Sequence, residues 1–385
     1  MTKGSSSLSG LDTGAPLADD TAIVSEYSRQ VDRGNERLRR LLDAEPAVSL
    51  HDHPFRYPAP LNTESWGQAR LQKRLVFAHN GMAGAGMGAT VACTNSWQSR
   101  DETLLVLSRL RTDLNHHDGV YVAESVAEIR RRFAAGRPEE RPLGVILGLE
   151  SLTAFADDLD AVELLYGLGV RVAGLIYSDG NILGCGLAQT TDTGLTTQGR
   201  AYVGRMNEVG MTIDLAHVGD QTTRDVIALS DRPVLISHAG ARGLWPTSRM
   251  KSDEVVRALV DRGGVIGVEA APNTTCSPKR ATHNIDAVMD HVEYLIDLVG
   301  IDNVALGPDV IFGPHIEMHA FRATGPKSTT GLAAGATATI VDGIENPNEA
   351  YWNIAAWLVA HGYADEDILK LTSRNGLRVL SEVIG

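Results

Sequence analysis

Cysteine is scarce in this chain: three residues in 385, Cys93, Cys185 and Cys276, far apart and with no C-x-x-C pair. That excludes a disulfide framework and a thiolate zinc or redox motif, and it suits a reducing compartment. No long apolar run is present either. The longest uncharged stretch, around residues 80–99, is full of Gly, Asn, Ser and Thr, whereas a membrane helix needs about 20 predominantly apolar residues. The first residues, MTKGSSSLSGLDTGAPLADD, have no apolar core of the kind a signal peptide carries. The expectation is a cytoplasmic protein that does not enter the membrane. Basic side chains are also short, 35 against 48 acidic ones, for a formal net charge of −13. Such a field repels phosphate backbones and anionic headgroups, so nucleic acid is excluded as a partner and a small-molecule substrate is favoured.

What is present is a globular composition, 43% hydrophobic and 22% charged. Residues 1–20 read as a flexible tail. From residue 22 to 43 the spacing of Val24, Tyr27, Val31, Leu38 and Leu42 predicts a helix. A rhythm follows, in which eight short apolar runs alternate with amphipathic stretches: AVSL, ATVACT, GVILGL, RVAGLIY, MTIDLA, PVLIS, GVIGVEA and NVALG. Parallel strands buried on both faces have this composition, and eight βα units predict an α/β fold of the (β/α)8 TIM-barrel type. An open doubly wound sheet is the rival architecture. Residues 21–385 are expected to form one barrel domain, with a long Gly/Ala/Thr-rich loop at about 310–348 and helices at the carboxyl end.

Barrel enzymes carry their functional side chains where strands end. Here those positions hold His51-Asp52-His53 after the first run, Glu150 after the third, His217 after the fifth, His238 after the sixth and Asp309 after the eighth. Residues i and i+2 of a strand face the same way, so His51 and His53 reach a common point and Asp52 faces elsewhere. A solitary histidine after a strand is ordinarily a core or surface residue. Four histidines and two carboxylates on one rim point instead to metal, and six ligands exceed what one tetrahedral zinc needs. Two ions bridged by a carboxylate and a water account for the number.

With LHDHP, GLES, LLYGLGVR, DTGLTTQGRAYVGRMNEVGMTIDLAHVG, RPVLISHAGARGL, TSRMKSD, GGVIGV, HVEYLIDLVGIDNVALGPD and GYADEDILKLTSRNGLRVL in order, the chain resembles the renal or membrane dipeptidase family of zinc peptidases, within the amidohydrolase-like hydrolases. The resemblance runs from about His51 to Val379. It implies a binuclear zinc barrel that hydrolyses dipeptides, with Glu150 and a hydroxide bridging two Zn2+ ions, His51, His53 and Asp309 on one ion, and His217 and His238 on the other. It further implies a homodimer, and it places Arg249 on the substrate's terminal carboxylate. Two positions depart from the family: His53 stands where an aspartate is usual, and Tyr177 where better-studied members carry a histidine that stabilises the tetrahedral intermediate. A tyrosine donates a hydrogen bond to an oxyanion but carries no positive charge.

The resulting expectation is a metal-dependent hydrolase acting as a dipeptidase. Two ions about 3.5 to 4 Å apart share a hydroxide, Asp309 takes the proton and returns it to the leaving amine, Tyr177 faces the substrate, and Arg249 holds the carboxylate. Two other readings stand beside it. One is hydrolysis of an N-acyl amino acid, lactone or other small amide on the same scaffold; the other is a catalytically silent metal-binding barrel.

Overall fold

The computed structural model describes residues 25–56, 87–94, 99–116, 119–137, 140–312, 315, 341–344 and 347–385. The expected tail at 1–20 and most of the expected loop at 310–348 lie outside the described residues.

All eight apolar runs form strands, and each pairs in parallel with its neighbours. They are β1 (Ala47–Arg56), β2 (Met87–Thr94), β4 (Leu143–Leu149), β5 (Val170–Gly174), β6 (Thr212–Asp214), β7 (Leu235–Ala239), β8 (Val265–Val268) and β9 (Val304–Leu306). Two short strands were not expected. β3 (Val120–Val122) pairs with the first half of β4, where β5 has yet to begin; β10 (Ile311–Phe312) pairs with β1. The last strand therefore changes partner. As β9 it pairs with β8, and after Gly307–Val310 it continues as β10 along β1, which brings the sheet round to a nearly closed barrel.

Main-chain bonds join the two sides of this seam, Asp309 N–H to His51 O and His53 N–H to Val310 O, each at 3.0 Å. Side chains complete it. Tyr351, buried on α10 (Ala350–Ala360), donates to Val48 O of β1 and lies 3.0 Å from Leu306 O of β9. Gly307 has no side chain because a Cβ there would stand 2.0 Å from Ser237 O.

The barrel interior is filled by Val48, Leu50, Val91, Ile146, Val172, Leu235, Val265 and Ala305. Leu377 and Leu380 of α12 (Asn375–Ile384) join this layer, and Gly376 lets that helix approach Val48 and Leu50. The outer layer includes α3 (Arg100–Asn115), α4 (Val126–Ala135), α5 (Ala161–Gly167), α6 (Thr197–Val209), α7 (Asp220–Leu229), α8 (Asp253–Asp261) and α9 (Ile285–Val299). The first two, with β3, fill the long interval between the second and third apolar runs.

The single helix expected at 22–43 is two helices, α1 (Glu26–Gln30) and α2 (Glu36–Ala44). Asp32 Oδ1 accepts from Gly34 N–H at 2.8 Å in a turn, and Asn35 then caps α2 by accepting from Leu38 N–H at 3.1 Å. Local side-chain bonds of this kind compete with helix and win here. At the other end, α11 (Asp365–Leu369) runs into α12 through a π-helical turn, Lys370–Arg374. Among the described residues, no helix is long and apolar enough to cross a membrane.

The seam yields a test. Tyr351→Phe deletes the side-chain hydroxyl that, among the described residues, reaches both β1 and β9 there, and a buried carbonyl left without its donor costs about 1–3 kcal/mol. Urea unfolding should show a lower midpoint with an unchanged slope; a midpoint equal to that of the parent chain refutes this role.

Candidate metal centre

Six side chains from five strand ends meet in one small volume. His51 and His53 project from β1; Glu150 follows β4, His217 lies three residues after β6, His238 is within β7, and Asp309 sits where β9 gives way to β10. All six are buried, from 0% exposure for His51 and His238 to 8% for Asp309. Their ligand atoms form two tight groups, His51–His53–Asp309 and Glu150–His217–His238, within each of which the atoms lie no more than 4.8 Å apart.

In the first group His53 Nε2 is 3.2 Å from Asp309 Oδ1 and 3.3 Å from His51 Nε2, and His51 Nε2 is 3.6 Å from the same carboxylate oxygen. In the second, His217 Nε2 is 3.1 Å from Glu150 Oε1 and 3.0 Å from His238 Nε2. The groups touch through the stacked rings of His51 and His238, 3.6 Å between centroids. Asp309 has φ +56°, a left-handed conformation that Asp adopts more readily than most residues. That kink lets the last strand leave β8 and meet β1, and it turns the carboxylate inward.

Partners behind the rings settle which nitrogen faces the centre. His53 Nδ1 can only donate to Cys93 O, at 2.9 Å. Ser237 Oγ donates to Asp214 Oδ2 at 2.6 Å, so it accepts from His238 Nδ1–H, also at 2.6 Å. Asp214 is itself held by the N–H groups of Ser237 and Ala216, at 2.8 and 3.2 Å. His217 Nδ1 stands 3.0 Å from Ser178 Oγ. In His53 and His238 the Nδ1 hydrogen is thus held from behind and Nε2 faces inward, as in imidazole ligands oriented from behind in metal sites. His51 Nδ1 is buried without a hydrogen-bond partner among the described residues.

The electrostatics match. Burial pushes His51 down to about 3 despite Asp309, and burial with Arg249 nearby pushes His217 down to about 4. His238 falls well below the usual imidazole range through burial, with the neighbouring imidazoles and the Arg249 guanidinium opposing its protonation further. These rings are neutral at pH 7. His53 is raised: burial opposes its protonation, but the Asp309 carboxylate outweighs it. Burial alone would lift Asp309, yet its bond to His53 and the neighbouring imidazoles of His51 and His315 hold it far below the ordinary carboxylate range. Inward-facing imidazole nitrogens at 3.0–3.3 Å from one another, with carboxylate oxygen beside them, form a donor set that fits a borderline divalent cation such as zinc.

Other residues singled out from the sequence fall as follows. Asp52 points away from the centre, accepting from Thr90 Oγ1 and Val310 N–H at 3.3 and 3.4 Å. Asn181 builds a turn through Leu175 O and Leu183 N–H, and Asp179 is exposed. Tyr177 lies three residues past the end of β5, its ring stacked on His217 at 4.2 Å. Arg249 is no surface loop residue: it is 5% exposed, with Nη1 on Ala216 O at 3.2 Å and Nη2 on His238 O at 2.9 Å and on Glu269 Oε2.

Sequence reading missed Glu269, Ser178 and Ser237. Glu269 lies inside the run GVIGVEA; the strand stops at Val268, so Glu269 is the residue that follows it and joins His238 and Asp309 in a further group within 4.8 Å. Ending that run two residues earlier would have exposed it. The two serines carry no sequence signal, because their role depends on which ring they meet.

Because His51, His217 and His238 hold no proton at pH 7, filling the site should release at most one imidazole proton, that of His53, whose hold on its proton the Asp309 carboxylate strengthens. Sign follows directly: a raised pKa means the proton competes with metal below it, so affinity should fall about tenfold per pH unit once His53 is protonated. Zinc titration calorimetry in buffers of different ionisation enthalpy measures this; release of three or more protons would contradict it.

A family model described as membrane dipeptidase, peptidase family M19, matches residues 36–316. A curated relative from Aspergillus oryzae, Dipeptidase aclJ, is 30% identical over 276 residues, 70% of this chain; the match spans 58% of that protein's length. Among solved structures, an amidohydrolase from Pseudomonas aeruginosa is 26% identical with a TM-score of 0.75, covering 90% of this chain and 99% of that one. A metallopeptidase from Rhodobacter sphaeroides, liganded with a phosphinate mimic of L-Ala-D-Ala, shares the fold at 21% identity and a TM-score of 0.67, covering 88% of this chain and 99% of its own. With the barrel, six converging side chains of metal-ligating type and a family match over most of its length, this chain belongs to the membrane dipeptidase family, peptidase family M19.

Proposed function

We propose that this chain is a zinc-dependent hydrolase that cleaves the peptide bond of dipeptides. The observation supporting this most directly is the buried meeting of four imidazoles and two carboxylates whose donor atoms face one another at 3.0–3.6 Å. Nothing in a purely structural core repays the burial of so many lone pairs, whereas cations do. Under this reading His51, His53 and Asp309 would hold one Zn2+, His217 and His238 would hold a second, and Glu150 would be available to both.

Bound there, zinc supplies Lewis acidity for the scissile carbonyl and a water whose pKa is brought down to roughly 7. The side chains do the rest. Asp309, kept ionised by its imidazole neighbours, accepts the proton of the attacking water and passes it to the leaving amine. Tyr177, steadied by its stack on His217, donates its phenolic hydrogen to the developing oxyanion. Arg249, anchored on two backbone carbonyls, meets the polar end of the substrate. The strand-end layer beneath, all buried, keeps bulk water from the charges and strengthens each contact.

Tyr177 also supports a second reading, in which the bond cleaved belongs to an N-acyl amino acid or lactone, because a neutral phenol suits an oxyanion without favouring peptides. A cytoplasmic location accords with three cysteines that remain thiols. The homodimer rests on the resemblance alone.

His217→Ala should lower turnover by at least about 100-fold and reduce bound zinc while leaving the circular dichroism unchanged. Full turnover in that variant sinks the ligand assignment. Dialysis against chelator should abolish hydrolysis of a dipeptide panel, and zinc should restore it. Zinc-loaded protein that spares every dipeptide but cleaves N-acyl amino acids or lactones would favour the second reading.

A further inference from the structure

Glu269 takes no part in the mechanism above, yet it stands at its centre. Its backbone is pinned on both sides, N–H to Ala239 O at 2.9 Å and carbonyl to Thr275 Oγ1 at 2.9 Å. Its side chain is fully buried, 0% exposed, and Oε2 accepts from Arg249 Nη2. Oε1 receives no hydrogen bond among the described residues; the neighbouring Thr274 hydroxyl is committed to Ala271 O at 2.6 Å. A carboxylate oxygen of Glu269 lies within 4.8 Å of ligand atoms of both His238 and Asp309.

Arg249 is correspondingly engaged. Nη2 has two hydrogens, and both are spent, on Glu269 and on His238 O at 2.9 Å; Nη1 gives one of its two to Ala216 O at 3.2 Å. A guanidinium recognises a carboxylate best through two parallel N–H bonds. Taking the Nη2 edge for an incoming carboxylate would strand Glu269 as a buried charge without its partner, which is strongly unfavourable. The arginine reaches the substrate already matched.

We propose that Glu269 is a specificity-determining residue: its hold on the Nη2 edge of Arg249 removes the advantage a free terminal carboxylate would have here, so the substrate class extends to amides whose leaving portion is uncharged. The inference rests on the amide-hydrolase reading of the preceding subsection.

The test compares L-Ala-L-Ala with its C-terminal carboxamide on zinc-loaded full-length protein at pH 8. In the parent chain kcat/KM for the two should agree within about threefold, and in Glu269→Gln and Glu269→Ala the free acid should gain about tenfold over the carboxamide, mainly through KM. Glu269→Asp, which keeps the charge, should stay near the parent ratio. A parent chain that already prefers the acid by about tenfold or more overturns the proposal, as does an unchanged ratio in both charge-removing variants. So does a loss of bound zinc in Glu269→Gln with both substrates slowed alike, which would put Glu269 on the metal. If the parent chain cleaves neither compound, the hydrolase reading fails for these substrates. The ratio of their Kd values from calorimetry then decides the inference by the same thresholds, and absence of binding by either compound overturns it.

Discussion

A single main-chain hydrogen bond, Asp309 N–H to His51 O, marks the place on which the rest of this molecule depends. There the last strand leaves β8 and joins β1, closing the sheet, and the left-handed turn at Asp309 makes the change of partner. Closure brings a carboxylate from the end of the barrel strands against two imidazoles from the beginning, 258 residues away for the pair His51 and Asp309. Half of the metal centre is a consequence of joining those edges. The bond to Tyr351 and the bare Cα of Gly307 are accommodations to the same junction.

Burial then decides the chemistry. Imidazoles taken out of water lose their protons, and hydrogen-bond acceptors behind them turn Nε2 toward the interior. The chain Asp214–Ser237–His238 shows how far this support extends, because a carboxylate at the end of β6 orients a ring on β7 through an intervening hydroxyl. Glu269 and Arg249 carry the same logic to the substrate side of the rim, where a buried acid fixes a buried base. The rim is therefore a set of mutually compensated charges, with side chains of metal-ligating type already aimed at one another.

Much of this was legible beforehand. Val, Ile and Leu runs buried on both faces are plain in a linear string, so all eight barrel strands were readable, as was the placing of His51, His53, Glu150, His217, His238 and Asp309 at their ends. Short elements were not. β3 and β10 have three and two residues, too few for periodicity to register, and the expected helix at 22–43 gave way to an Asp–Gly turn whose bonds are local but weakly signalled by spacing. A strand boundary set two residues late hid Glu269 inside an apolar run. Arg249 was found, but its burial and its carboxylate partner were not.

Order along the chain determined the kind of fold and the kinds of ligand atom, because alternating apolar runs can be buried only by stacking βα units, and histidines and carboxylates at their ends have one rim on which to meet. Tertiary structure alone decided which atoms face one another, which tautomer each ring adopts and which charge Arg249 serves. Those depend on distances between residues remote in sequence, set by the closing of the barrel and the dielectric of its interior, and no local pattern encodes a distance across a closed sheet.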